Sequence, residues 1–114
     1  MNIKDSNVTI MVKDMDRSIS FYQSIGFTLK NRWGSHYAQV SAPGITIGLH
    51  PTNVDNSLGP ANLSLGFTAD NFEESQSLLK ELGIDALPRQ EEGGQFLHFK
   101  DPDGTELYFI KPKW

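Results

Sequence analysis

The side chains able to do chemistry sit on strand-like stretches, and within each stretch they recur at a spacing of two. His50 closes Gly48-Leu49-His50, His98 stands two residues after Phe96, and Glu106 stands two residues before Tyr108. In an extended strand, residues two apart share a face and lie about 6.6 Å from one another. His98 and Glu106 are therefore the candidates for acid–base work, Glu106 as a general base if partly buried. Tyr108 could donate a hydrogen bond to a ligand carbonyl, and Trp33 and Tyr37 could stack on a planar ligand. Each has a plainer alternative. His50 and His98 suit a polar wall or a hydrogen-bonded surface, Glu106 a solvated strand, Tyr108 simple packing, and Trp33 a core or a dimer interface. The chain has no cysteine, which excludes disulfides, thiolate nucleophiles and cysteine-based metal sites. No Ser/His/Asp order and no glycine-rich phosphate loop stands out, so no cofactor is expected.

Composition narrows the partners. A chain of 114 residues can bury one core, and 38% hydrophobic with 21% charged residues describes a folded rather than a disordered sequence. The net charge of −4 mildly favours a cationic small molecule. No Lys/Arg cluster could neutralise several phosphates, so nucleic acid is not an expected partner. Met1-Asn2-Ile3-Lys4-Asp5 lacks an apolar signal core, and no run approaches the ~18 apolar residues needed to span a bilayer. The expectation is a cytoplasmic protein with no membrane partner.

The elements that position these residues come in two copies. A shift of 57 residues lays Asn7–Leu29 on Ser64–Ala86, with Ser18 on Ser75, Gly26 on Gly83 and the apolar positions coinciding throughout. Val8–Val12 predicts a strand. Asp14 can cap a following helix whose inner face is Met15, Ser18, Ile19, Tyr22 and Ile25, and Gly26 can end it. Phe27–Trp33, His36–Val40 and Ile45–His50 predict three more strands. In the second copy Leu63, Leu65 and Phe67 mark a strand, and Asp70 with Glu73 resembles a capping box. Phe72, Ser75, Leu78, Leu79 and Leu82 mark the helix, with Gly83 ending it. Ile84–Pro88 predicts a short edge strand, Glu91–Gly94 a turn, and Phe96–Phe99 and Thr105–Ile110 the last strands. The expected plan is βαβββ twice: a module over about 1–51, a linker over about 52–60 within Pro51–Pro60, and a module over about 61–114.

Two related turns precede the closing strands: Pro43-Gly44 before Ile45, and Asp101-Pro102-Asp103-Gly104 before Thr105. Aligning them places Gly48 on Tyr108. If Val8/Ile10/Val12, Ile45/Ile47/Leu49, Leu63/Leu65/Phe67 and Leu107/Phe109 pack on helices, the opposite faces carry Asn7, Thr9, Gly48, His50, Ser64, Gly66, Glu106 and Tyr108 among others. Tyr37 and Gln39 join one half, and Phe96 and His98 the other. Such a face is either plainly solvated or, if the two sheets curl toward each other, a cup for a small ligand that Trp33 helps to line.

Val12-x-Asp14-x-x-x-Ser18-x-x-Phe21-Tyr22, then Gly26-Phe27, and later Asp101-Pro102-Asp103-Gly104 resemble the vicinal oxygen chelate superfamily. That group includes glyoxalase I, fosfomycin-resistance enzymes, extradiol dioxygenases and bleomycin-resistance proteins. The resemblance covers nearly the whole chain. It implies an α+β fold in which two βαβββ modules form a curled, cup-like mixed sheet with helices on the outer face, and it implies a homodimer. In the superfamily's metal enzymes four positions supply His, Gln or Glu ligands; carried onto this chain they are Asn7, Gly48, Ser64 and Tyr108. None is a standard ligand, so no metal is expected there. A displaced set of His50, His98 and Glu106 requires shifts in opposite senses along equivalent strands. The resemblance therefore points first to a metal-free protein that sequesters a drug or metabolite. Second comes a lyase, isomerase or dioxygenase with a non-standard metal site or an acid–base site drawn from His50, His98 and Glu106, and third a non-catalytic partner or regulatory domain.

Overall fold

A computed structural model describes residues 1–53 and 63–113. Residues 54–60 of the expected linker lie outside the described residues. The chain divides into two compact units, Met1–Asn56 and Ser57–Trp114. Each is one βαβββ module. The first runs β1 (Val8–Val12), α1 (Met15–Ser24), β2 (Thr28–Trp33), β3 (Tyr37–Ala42) and β4 (Ile45–Pro51). The second runs β5 (Ser64–Thr68), α2 (Phe72–Glu81), β6 (Arg89–Glu91), β7 (Gly94–Lys100) and β8 (Glu106–Pro112).

Both sheets have four strands and the same order: β1-β4-β3-β2 in one and β5-β8-β7-β6 in the other. The last three strands of each module form an antiparallel meander, and the first strand joins the last in parallel. Each sheet is therefore mixed, and the fold is α+β. Alternation decides which face is buried. Ile10, Val12, Ile47, Leu49, Ala38 and Val40 are buried in the first unit, where α1 packs against β2, β3 and β4 through Met15, Ser18, Ile19 and Tyr22. Leu65, Leu97, Phe99, Leu107 and Phe109 are buried in the second, where α2 packs against β8 and buries Phe72 and Leu79.

The helix ends follow local chemistry. The Asp14 carboxylate accepts the Arg17 N–H at 3.0 Å, the cap expected for α1. Both helices close with paired bonds of Schellman type: Gly26 N–H to Gln23 and Phe27 N–H to Tyr22, then Gly83 N–H to Lys80 and Ile84 N–H to Leu79. Gly26 and Gly83 take φ of +116° and +77°, which a side chain would resist.

The last turn is built around a buried acid. Asp101 is 5% exposed, and its Oδ1 accepts the N–H groups of Asp103 and Thr105, each at 2.9 Å. The Gly104 N–H closes the turn on the Asp101 carbonyl at 3.0 Å, with Pro102 in the second position and Gly104 at φ +89°. This constellation fixes where β8 starts.

Three expectations on the second module are corrected. The cap of α2 is Asn71, whose Oδ1 accepts the Glu74 N–H at 3.0 Å, not Asp70, which stands one residue too early for that reach. Ile84–Pro88 forms no strand. Pro88 has no N–H to give a ladder, and β6 begins only after it, at Arg89. Leu82 is 40% exposed at the helix C-cap rather than on the inner face.

The capping assignment has a direct test. Asn71→Ala should lower unfolding free energy by about 1 kcal/mol in urea denaturation, while Asp70→Ala should change it by less than about 0.5 kcal/mol. The reverse order would return the cap to Asp70.

Candidate functional site

The faces turned away from the helices carry the residues of interest, and register shows which of them meet. In the first unit one row crosses the sheet: Thr9 opposite Gly48, Gly48 opposite Gln39, and Gln39 opposite Asn31. Asn31 Nδ2 donates to Gln39 Oε1 at 3.2 Å, and Gln39 Nε2 donates to the Tyr37 hydroxyl at 3.4 Å. The space above Gly48 is already taken. A Cβ there would overlap the Tyr37 hydroxyl and come within 2.7 Å of Thr9 Oγ1. Tyr37 and Trp33 pair across β2 and β3 and stack with centroids 5.6 Å apart and planes 28° from parallel. Trp33 is 53% exposed, so one edge of this patch is an open indole.

In the second unit the corresponding row is Gly66, Tyr108 and His98. The Tyr108 ring lies over Gly66 so closely that a Cβ at Gly66 would collide with its Cζ and hydroxyl. Phe96 and His98 are parallel within 6° at 5.5 Å, and Tyr108 leans on both, at 5.5 Å and 5.8 Å. His98 Nε2 meets Glu91 Oε2 at 2.8 Å, with both side chains about two-fifths exposed. A carboxylate accepts only, so Nε2 carries the proton toward Glu91. Ser64 is opposite Glu106, which is opposite Lys100; Lys100 Nζ stands 3.5 Å from Glu106 Oε1.

The expected residues therefore separate into groups. Thr9, Trp33, Tyr37, Gln39 and Gly48 come together on one sheet, and Phe96, His98 and Tyr108 on the other. Asn7 is exposed ahead of β1. His50 shares the face of Gly48 but its Nδ1 turns to the Pro51 carbonyl at 2.9 Å. Glu106 is 44% exposed and faces Lys100, the solvated form of a strand carboxylate. Asn31 and Glu91 were not among the expected site residues, while Gly66 was expected on this face. Glu91 was read as a turn, because the edge strand was placed before Pro88 instead of after it. Asn31 follows from pairing Trp33 with Tyr37, since counting back two residues on β2 and forward two on β3 brings it to Gln39.

A metal must be tested against this donor set. The positions that the superfamily resemblance assigns to ligands hold an amide, no side chain, a hydroxyl and a phenol. Zn²⁺, Ni²⁺, Mn²⁺ and Fe²⁺ sites are built from imidazole and carboxylate, and these residues do not fit. Among the described residues no group of three or more His, Cys, Asp and Glu stands together as a ligand set. Nor, among them, is any helix long and apolar enough to cross a membrane.

Two βαβββ modules, each with one helix-covered and one polar sheet face, define the class of fold. The chain belongs to the Glyoxalase/Bleomycin resistance protein/Dioxygenase superfamily, whose family model matches residues 6–109. An uncharacterized protein of Mycolicibacterium smegmatis is 38% identical over 64 residues, or 55% of this chain; the chain spans about half that relative, at 53%. A bleomycin-binding protein solved with bleomycin superposes with a TM-score of 0.76 at 21% identity, covering 97% of this chain and 100% of that one. A genomically encoded fosfomycin resistance protein from Listeria monocytogenes gives a TM-score of 0.80 at 18% identity, covering 99% and 94%. At these identities the likeness establishes the fold.

The roofed glycine predicts a coupling. Gly66→Ala should cost about 1–3 kcal/mol of stability because it displaces the Tyr108 ring. In a Tyr108→Ala background most of that cost should vanish, giving a coupling of at least about 0.5 kcal/mol in a double-mutant cycle. Strictly additive effects would mean that Tyr108 does not rest on Gly66.

Proposed function

We propose that this chain binds a small molecule, a drug or a metabolite, and acts by sequestration without a metal. The observation that carries the proposal is the filling of the sheet rows. Of the four positions that the resemblance assigns to ligands, Gly48 lies under the Tyr37 phenol and Tyr108 lays its own phenol over Gly66. Aromatic rings with hydroxyl and amide groups beside them suit retention of an organic ligand, which needs apolar area and a few placed polar groups. On the first sheet the proposed contacts are Trp33, Tyr37 and Gln39, with Asn7, Thr9, Gly48 and His50 on the same module; on the second sheet, taken by itself, they are Phe96, His98 and Tyr108, with Ser64 and Glu106. The bleomycin complex of a structural neighbour lends the reading support at the level of fold. Homodimerisation and a cytoplasmic location belong to the same proposal and rest on the sequence and the family alone.

One observation favours a second reading. The Glu91 carboxylate orients the His98 imidazole beside the Tyr108 phenol, the arrangement an acid–base catalyst uses. The lyase, isomerase or dioxygenase alternative would be built on His98, with Glu106 and His50 as its further candidate groups.

Elemental analysis of protein purified without chelators should find well under one equivalent of transition metal. Trp fluorescence should respond saturably to an aromatic or cationic drug. Near-stoichiometric metal that is lost on His50→Ala or Glu106→Ala would overturn the sequestration proposal. Turnover of a bound compound abolished by His98→Ala, with binding retained, would replace it with the catalytic reading.

A further inference from the structure

The hydrogen bonds on the first sheet have a direction, and the direction selects a ligand. Asn31 Nδ2 donates to Gln39 Oε1, which fixes the Gln39 amide with its nitrogen toward Tyr37. Gln39 Nε2 then donates to the phenol oxygen at 3.4 Å. The oxygen is thus used as an acceptor, and the phenol proton is left to give. Among the described residues the Tyr37 hydroxyl donates to nothing. Gly48 lets it sit against the sheet, since a Cβ there would overlap it. Beside it Trp33, 53% exposed and stacked on the Tyr37 ring, offers a flat apolar face.

We propose that Tyr37 is the ligand's hydrogen-bond donor, and that the ligand is a planar aromatic molecule with a carbonyl-type oxygen acceptor lying on Trp33. The proposal rests on the small-molecule reading above and narrows it to a chemical class. A ligand with only N–H or O–H donors gains less here, because Gln39 already occupies the phenol oxygen. Gln39 and Asn31 act as positioning residues. They orient the phenol proton through an amide relay and need not touch the ligand.

A matched pair of probes reads this directly. Acetophenone and α-methylstyrene have nearly the same shape and planarity and differ by an oxygen in place of a methylene. Both are titrated into the isotopically labelled chain and followed by amide and side-chain NMR shifts. The wild type should bind acetophenone about threefold to tenfold more tightly, the worth of one neutral hydrogen bond. Tyr37→Phe should bring the ratio close to one. Gln39→Glu keeps the phenol but presents a carboxylate that accepts its proton, so it should erase the preference as well. A dispersed amide spectrum in each variant shows that the fold is kept. Equal wild-type affinities, or a preference that survives Tyr37→Phe, would overturn the proposal. So would shifts confined to residues away from Trp33, Tyr37 and Gln39, although small-molecule binding would then stand. No shift from either probe at millimolar concentration would contradict both.

Discussion

In each module the parallel pairing of the first strand with the last imposes a two-residue period that everything else obeys. Leu107 and Phe109 are buried with Leu65 on the helix side of their sheet. Glu106 and Tyr108 must then stand on the other side, in register with Ser64 and Gly66. The same constraint sets Thr9 beside Gly48 while Ile10 and Leu49 go inward. A slip of one residue would exchange the two faces, in the second module putting the Glu106 carboxylate and the Tyr108 phenol into the core. The buried Asp101 carboxylate guards against that slip in the second module, because its bonds to Asp103 and Thr105 fix the residue at which β8 begins.

What that constraint delivers is a polar, aromatic face whose chemistry depends on which positions lack a side chain. Gly48 and Gly66 have no positive φ to require glycine. Their role is space: each admits a phenol against the backbone. Filling by phenols changes what the row can bind. Imidazole and carboxylate donors would gather around a cation, whereas a phenol held by an amide gives a proton to an acceptor. Aromatic area and a directed donor are the features on which the proposed retention of an organic molecule rests. His98 with Glu91 also suits proton transfer.

Much of the fold was legible because it was written twice. The 57-residue shift places Val8 on Leu65 and Gly26 on Gly83, and strands, helices and helix ends follow. The same shift also places Asp14 on Asn71, the true cap of α2, a clue that the capping-box pattern at Asp70 masked. Pro88 was legible as a ladder breaker, but on which side of it the edge strand would form depends on β7, where Arg89 meets Phe96. The site was legible only as a face. Alternation gave Tyr37, Gln39, His98 and Tyr108 a common side of their sheets. The covering of Gly48 by Tyr37, the tie between His98 and Glu91, and the turning of His50 to its neighbour's carbonyl depend on rotamers that spacing does not encode.

Retention of an organic ligand on a polar sheet face, without a metal, is the proposed activity. The most direct measurement is the dissociation constant of one saturable aromatic ligand, determined on the same preparation before and after exhaustive chelation. An unchanged constant is the predicted result. Binding that disappears on chelation and returns with added Zn²⁺, Ni²⁺, Mn²⁺ or Fe²⁺ would contradict it.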